Sequence, residues 1–340
     1  MKKTLALLMA LVMVLGLCAC GSSNAPAESA APAESEAPAP AEPEAPAAVD
    51  TKILYEADDS MLNTYTLIAV NPDAPFTDAD GNAVSDVAVN TTGADAFIHW
   101  MLSQTALDMA ADFGMADYGE HLFYVKDGVP VYDGEIAAAT EETKTIRLST
   151  TTSVNDSGLL DYLLPAFEGE YGYTVEVQSA GTGKAIAAAQ YGNADLILVH
   201  SKSQEEKFVE DGFARVVDGF EAERVSFIYN YFVLCGPSDD PAGAASCATV
   251  KDAFAAIAEG KYPFISRGDG SGTHTKELSL WPEALGITAE AESFADYTDW
   301  YTSANAGMVA CLVMAEQMGG YILTDKATFL TFAANNGQIA

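Results

Sequence analysis

The spacing of apolar residues from Thr145 onward switches repeatedly between that of a strand and that of a helix. The clearest helical stripe comprises Leu159, Leu160, Leu163, Leu164 and Phe167. The same pattern predicts strands over 145–149, 173–178 and 195–199, and helices that contain this stripe, begin near Gly183 and cover 203–211. Strands that alternate with helices indicate a parallel sheet covered by helices.

A long apolar strand over 227–234 precedes a second series of the same kind. This series predicts strands over 263–266 and 321–323, and helices over 249–259, from about Gly272 and over 306–318. We interpret the strand over 227–234 as a crossover between two α/β lobes. Two lobes joined by strands suit a ligand-binding cleft.

Length and charge narrow the class of protein. A chain of 340 residues is long enough for about two domains with their own cores. Apolar residues make up 49% of the chain, and acidic residues outnumber basic ones by 49 to 16, for a formal net charge of −33. A nucleic-acid-binding protein needs the opposite charge, so that class is excluded.

The first fifty residues are predicted to lie outside the fold. Residues 1–19 combine Lys2 and Lys3 with an apolar run too short to span a membrane, which is typical of an export signal. The run ends in Leu-Cys-Ala-Cys-Gly, which resembles the lipobox of bacterial lipoproteins and implies lipidation of Cys20. The alternative is an ordinary thiol beside a soluble-secretion site.

Residues 20–50 are rich in Ala, Pro and Glu, and we expect them to form a disordered tether. Together with the signal and Cys20, the tether predicts an extracytoplasmic protein that is lipid-anchored to the cell membrane and contacts the membrane only through that anchor.

Three further cysteines follow, Cys235, Cys247 and Cys311. An odd number cannot all pair internally, and their apolar neighbours predict buried thiols. The CxxC or Cys/His spacing of metal sites is absent from the sequence, so we expect no metal site.

Three loops follow predicted strands at points where helices begin, which is where open α/β sheets bind ligands. They span 149–153, 180–184 and 266–274, and read STTTS, AGTGK and SRGDGSGTH. Each supplies neutral donors at a helix start, and the third adds Arg267, whose guanidinium can hold an oxyanion through two nitrogens. The loops together predict an oxyanion site.

Each loop also has a simpler interpretation. The hydroxyls of the first can be helix N-caps, the GTG of the second can be a tight turn, and Arg267 can pair with Asp269 or another acid. Their shared position at strand–helix junctions of both lobes favours the oxyanion site. Because a net charge of −33 repels an anion at long range, we expect capture through charge-assisted hydrogen bonds worth about 1.5–3 kcal/mol each.

The three loops resemble the signature segments of tungstate-binding proteins of ABC uptake systems. The resemblance rests on TTTS at 150–153, GTG at 181–183 and SRGDxSGTH at 266–274, and covers nearly all of 145–330. It implies an α/β, two-lobed periplasmic-binding-protein type II-like fold with hinge strands, which closes on tungstate or molybdate. It also implies an ABC transporter permease as partner, no cofactor and no catalytic residue, and we expect a monomer. The ligand-binding residues that it implies are Thr151, Thr152, Ser153, Thr182, Gly183, Arg267, Ser271, Gly272 and Thr273.

The chain departs from the family pattern in two ways. Where family members tend to have glycine and glutamine before the Gly-Met of a late helix, this chain has Asn305 and Ala306, which bears on ligand preference. Residues 53–125 resemble the end of the family's sequence, although they stand at the front here.

We therefore predict a circular permutation, which termini at the surface of a compact domain allow. Residues 126–144 are then the linker, lobe one covers 63–230, and lobe two covers 231–340 plus 51–62. The alternative is that 51–125 form a separate appended domain.

Two other functions stay open. The third loop also resembles the anion loop of phosphate-binding proteins of the same fold, and Asp269 could accept the proton that phosphate keeps near neutral pH. Tungstate and molybdate offer only acceptors, and the TTTS run favours them. A secreted hydrolase would need a carboxylate or a GxSxG elbow beside His274 and Ser271, and the sequence supports neither.

The other histidines have structural interpretations. His200 either reaches the rim of the cleft or caps a loop, and we expect His99 and His121 to be structural.

Overall fold

The computed structural model describes residues 51–56 and 58–335, so the predicted signal, Cys20 and the whole of the predicted tether lie outside the described residues. Within them, strands β1 to β11 are, in chain order, Thr51–Tyr55, Leu62–Val70, Tyr124–Val125, Thr145–Thr151, Thr174–Ala180, Leu196–Val199, Ala214–Arg215, Val225–Pro237, Phe264–Ser266, Tyr301–Ser303 and Tyr321–Asp325. Helices α1 to α11 are Thr91–Met101, Gln104–Asp112, Met115–Tyr118, Thr152–Asp156, Leu159–Tyr171, Thr182–Gln190, Lys202–Glu210, Val250–Gly260, Gly272–Leu278, Met308–Met318 and Lys326–Asn335.

Strand β8 connects the two halves of a mixed sheet whose order is β10-β9-β11-β8-β2-β6-β4-β5. Its first half pairs antiparallel with β2, from Val225 opposite Leu67 to Tyr231 opposite Leu62. Its second half pairs antiparallel with β11 and β1. The fold is therefore two-lobed: we call β2–β7 with the first half of β8 lobe one, and β1 and β9–β11 with its second half lobe two.

Lobe one buries its central strands on both faces. Leu196 and Leu198 of β6 pack in a core with residues of α1, α2 and α5, whereas Ile197 and Val199 pack against α6 and α7. A strand covered by helices on both sides needs apolar residues at every position, which explains the continuous run over 196–199. Strands β4, β5 and β6 run parallel, as the alternation of strands and helices predicts.

Lobe two has an aromatic core that surrounds a buried carboxylate. The Glu277 side chain accepts hydrogen bonds from Trp281 Nε1 at 2.8 Å, Tyr301 Oη at 2.9 Å and Ser266 Oγ at 2.5 Å. Burial raises the pKa of Glu277 to about 7 despite these donors. The carboxylate thus ties α9 to β9 and β10.

Residues 51–125 contribute strands to both lobes. β1 pairs with β8 in lobe two, and β2 lies between β8 and β6 in lobe one. Asn63 and Tyr65 of β2 form a buried polar cluster with Asn230 of β8, with Asn63 Nδ2 2.9 Å from Asn230 Oδ1 and 2.8 Å from Tyr65 Oη. This segment is therefore woven into the central sheet.

The three described cysteines differ in burial. Cys235 and Cys311 are buried, as predicted, but Cys247 is only half-buried. It follows a short 3₁₀ turn over Ala244–Ser246 at the edge of lobe two, where its apolar neighbours do not enclose it.

Candidate functional site

Two of the predicted loops belong to lobe one. Thr151 ends β4 and caps α4, because its Oγ1 accepts from the Val154 N–H at 3.5 Å, and it lies 3.1 Å from Ser153 Oγ. Helix α6 begins after Gly181 with no side-chain cap, so its first N–H groups have no partner within the helix. Thr182 is fully buried, and its hydroxyl has no hydrogen-bond partner among the described residues.

The third loop belongs to lobe two and turns through two glycines in the left-handed region. Gly268 has φ +63°, and a β-carbon there would overlap the Ser303 Oγ. Gly270 has φ +70° and leads into Ser271, whose Oγ caps α9 by accepting from the His274 N–H at 3.2 Å. Thr273 is buried, and within the described part of the chain its hydroxyl is unpartnered.

Arg267 is almost completely buried, with 3% of its surface exposed. Its Nε donates to the Ala306 carbonyl at 3.3 Å, its Nη1 to Thr152 Oγ1 at 3.1 Å, and its Nη2 to Asp269 Oδ2 at 2.5 Å. A guanidinium has five N–H donors, so two have no partner among the described residues. The ion pair between Arg267 and Asp269, which the sequence allowed as an alternative to ligand binding, is therefore present. It does not occupy all of the guanidinium donors.

The three loops meet at one place. The Arg267–Thr152 hydrogen bond joins the third loop to the first across the two lobes. A β-carbon on Gly181 would lie 3.4 Å from Asp269 Oδ2 and 3.6 Å from Ser271 Cβ, which brings the second loop against the third. Every predicted ligand-binding residue thus lies on one of three converging loops.

The predicted residues differ in exposure. Thr151, Ser153, Thr182, Ser271, Gly272 and Thr273 are buried with Arg267, Thr152 is half-buried, and Gly183 is exposed. A β-carbon on Gly183 would approach Gln204 Oε1 at 3.5 Å, so this residue is the most peripheral of the set. The buried members define the candidate site.

His200 contacts this site from lobe one. Its Nε2 lies 2.9 Å from Ser153 Oγ, and its ring lies so close to Gly272 that a β-carbon there would be 2.6 Å from His200 Cε1. Burial and the positive charge of Arg267 lower the pKa of His200 to about 3, so the imidazole is neutral. Of the two interpretations from the sequence, the rim of the cleft and a loop cap, these contacts with both lobes fit the first.

Tyr65 also supports the site, although it was not singled out from the sequence. Its phenol is completely buried between the Asn63–Asn230 cluster and Ser153, and burial raises its pKa well above the usual range. A polar Asn230 within an otherwise apolar strand was the signal that could have indicated this cluster.

The other histidines have structural partners. His274 Nδ1 accepts from the Gly270 N–H at 3.1 Å, and burial lowers its pKa. His99 Nε2 lies 2.7 Å from the Asp218 carbonyl, and its ring stacks on Tyr132. His121 Nδ1 lies 2.5 Å from the Ala111 carbonyl.

The site offers donors and almost no free acceptor. The Asp269 carboxylate accepts from Arg267 Nη2 through Oδ2 and from the Ser271 N–H through Oδ1, at 3.1 Å. The groups left for a ligand are hydroxyls, helix-start N–H groups and the remaining guanidinium donors. Such a set suits a small anion with several acceptor oxygens. Among the described residues, no group of three His, Cys, Asp or Glu side chains could hold a metal ion.

Comparison with known proteins agrees with this chemistry. The chain is 44% identical over 207 residues to the tungstate-binding protein TupA of Peptoclostridium acidaminophilum, a match that covers 60% of this chain and 67% of that protein. It is 36% identical over 183 residues to the tungstate-binding protein TupA of Campylobacter jejuni, covering 54% and 62% of the two chains.

A crystal structure described as the tungstate ABC transporter from Geobacter sulfurreducens is 40% identical, covers 56% of this chain and 75% of its own, and superposes with a TM-score of 0.47. The model of the PBP superfamily domain matches residues 137–340, more than half of the sequence. The similarity to tungstate-binding proteins that the three loops predicted is thus confirmed, and the chain belongs to the PBP superfamily.

Proposed function

We propose that this protein captures a tungstate or molybdate oxyanion between its two lobes and delivers it to an ABC transporter permease. One observation carries the proposal: three loops converge on buried donors, among them two guanidinium N–H groups and the hydroxyls of Thr182 and Thr273, none of which has a partner among residues 51–56 and 58–335. A buried hydroxyl without a partner is costly, and the oxygens of an oxyanion would satisfy it. Relatives that carry the name tungstate-binding protein support the choice of ligand.

The predominance of donors in the three loops favours a fully deprotonated oxyanion over phosphate. Phosphate keeps a proton near neutral pH and needs an acceptor in its site. Each oxygen of Asp269 already accepts one hydrogen bond from within the third loop, which lowers the capacity of this carboxylate to accept from a ligand. Tungstate and molybdate need only donors, which is what the loops provide.

The role that we propose is binding without catalysis. Ser153 and His200 are close enough to resemble a nucleophile and its base. A histidine base is oriented by a third group on its other nitrogen, yet His200 Nδ1 has no hydrogen-bond partner in the described part of the chain.

The mechanism follows from the topology. β8 and the connection between β1 and β2 run from one lobe to the other, and both can bend as hinges when the lobes close. The first and second loops bind the anion on lobe one, and Arg267 with Ser271, Gly272 and Thr273 completes the site from lobe two. The permease then recognises the closed form.

We further propose the cellular setting that the sequence predicts: export by 1–19, lipidation of Cys20, and a tether over 20–50 that holds the binding protein at the membrane as a monomer. In the described ranges, 51–56 and 58–335, none of the helices has the length and apolar character to cross a bilayer. Cys20→Ala in the full chain tests the anchor, because it should move the protein from the membrane fraction to the medium or periplasm. Membrane association that survives this change would reject the lipid anchor.

The circular permutation stays part of the proposal. In support, the family model begins at residue 137, while 51–125 supply β1 and β2 of the sheet. On this interpretation lobe one covers 63–230 with the linker 126–144, and lobe two covers 231–340 plus 51–62.

A thermal-shift panel of tungstate, molybdate, sulfate and phosphate tests the ligand. A ligand present at a hundredfold excess over its Kd stabilises the folded form by about 2.7 kcal/mol. At about 2 °C per kcal/mol for a chain of this size, the melting temperature should rise by about 5 °C. We expect tungstate and molybdate to give the largest shifts. A larger shift with phosphate would favour the phosphate-binding alternative, and no shift with any of the four would reject the proposal.

A further inference from the structure

A cavity lies beside the candidate site. It has a volume of about 680 Å³ and is lined by residues of both lobes. We call it the vestibule and define it by Lys126, His200, Lys202, Glu206, Arg224 and Lys276. It reaches the candidate site through two of its lining residues, since His200 contacts Ser153 and Gly272 directly follows Ser271.

The charge of the vestibule is opposite to that of the whole protein. Four of the sixteen Lys and Arg residues line it, against one carboxylate, Glu206, in a chain with 49 acidic residues. A cleft lined by one sign of charge concentrates the field and raises the local concentration of the opposite ion. The positive charge of the side chains that line the vestibule therefore favours anions.

Three of these cations lack a close ion pair with a buried carboxylate. Lys126 makes no ion pair within the described residues. Lys202 is 3.6 Å from Glu206 in an exposed pair, which is loose and weak. Lys276 Nζ donates to the Ser60 carbonyl at 2.7 Å, and the nearby Asp58 carboxylate offsets part of its charge. Arg224, in contrast, is paired with the buried Glu205.

The wall between the vestibule and the candidate site is made of His200 and Gly272, which belong to different lobes. The two residues are in tight contact, so opening of the lobes would separate them. His200 Nδ1 is buried and has no partner among the described residues, and it is therefore able to form a hydrogen bond when the wall opens.

We propose that the vestibule is a transient anion-binding site through which small oxyanions enter the cleft. This inference rests on the proposed function for the class of ligand. It also revises the expectation that long-range charge only opposes binding, because the entrance carries its own positive field.

The test is the association rate of tungstate, measured by stopped-flow at low ionic strength with the full chain. The triple variant Lys126→Gln, Lys202→Gln, Lys276→Gln removes the available charge, and glutamine at 276 keeps a donor for the Ser60 carbonyl. We expect its association rate constant to fall about tenfold while the dissociation rate stays within twofold. At about 0.5 M salt, where charges are screened within a few ångströms, the difference should disappear.

A matched control distinguishes the effect of the positive charges in the vestibule from the effect of the protein's net charge. Lys144, Lys251 and Lys261 are exposed and do not line the vestibule, and changing all three to Gln alters the net charge by the same amount. The control should keep the wild-type association rate. An equal fall in the control, or an unchanged rate in the vestibule variant, would overturn the inference. A wild-type protein that binds none of the four oxyanions would instead overturn the proposed function.

Discussion

Arg267→Ala tests the centre of the proposed site. The change removes the two guanidinium donors that are free for a ligand, along with the hydrogen bonds to Thr152 and the Ala306 carbonyl. Charge-assisted hydrogen bonds are worth about 1.5–3 kcal/mol each, so two of them amount to roughly 3–6 kcal/mol. The Kd for tungstate should therefore rise by a factor of about 10² to 10⁴.

A second effect of the change has the same direction. Asp269 is 11% exposed, and without Arg267 its negative charge would face the anion uncompensated. Arg267→Lys keeps the charge but cannot reproduce the planar fork that reaches three partners, so we expect it to bind more weakly than wild type and more tightly than Arg267→Ala.

Isothermal titration calorimetry gives the Kd values, and circular dichroism checks that the unliganded variants fold. Arg215→Ala is a matched control, because Arg215 forms a partly buried ion pair with Asp95 in lobe one, away from the three loops. It should lower stability without changing affinity. If Arg267→Ala binds tungstate within threefold of wild type, the site is not where we place it.

Three further changes test the closure, the core and the topology. Gly272→Ala should weaken tungstate binding at least tenfold in calorimetry, because its β-carbon would lie 2.6 Å from the His200 ring and hold the lobes apart. The control Gly307→Ala, at the start of another helix and with open space around it, should leave the affinity unchanged. Burial gives Glu277 a pKa of about 7 in the folded state, above its ordinary value of 4.5, so folding takes up a proton between these values. The free energy of unfolding should therefore fall by roughly 3 kcal/mol as pH rises through this window, and urea titrations of Glu277→Gln should show a flatter profile. Deletion of 51–125 should abolish cooperative folding, since it removes the strand between β8 and β6; a fragment 145–340 that folds and binds would contradict the permutation.

Local patterns predicted the parts of the fold that depend on neighbouring residues. The strand predicted over 145–149 is observed as Thr145–Thr151, and the helix predicted from about Gly183 begins at Thr182. Such elements follow from apolar periodicity and from glycines and hydroxyls at helix starts. The alternatives for the loops were not exclusive, because Thr151 both caps α4 and lies in the site.

Long-range pairing could not be read from the same patterns. The Asn63–Tyr65–Asn230 cluster joins residues 167 positions apart, and it forms only because β2 and β8 are neighbours in the sheet. The position of His200 between the lobes depends on how lobe two approaches lobe one. The half-buried state of Cys247 likewise depends on what the fold places around it, which its apolar sequence neighbours do not determine.

A net charge of −33 is compatible with the binding of an anion. The repulsion from the acidic exterior acts at long range, whereas the hydrogen bonds that hold the anion act at short range. Arg267 and Asp269 offset each other, and His200 is neutral, so these three groups together carry little net charge before a ligand enters. The anion's charge is then balanced by N–H and O–H dipoles within hydrogen-bond distance, where the acidic exterior, screened over about 10 Å, contributes little. The dissociation rate should therefore depend weakly on salt, whereas the rate of entry through the vestibule, and with it the affinity, should depend on salt strongly. Equilibrium and kinetic measurements on the same variants separate the two.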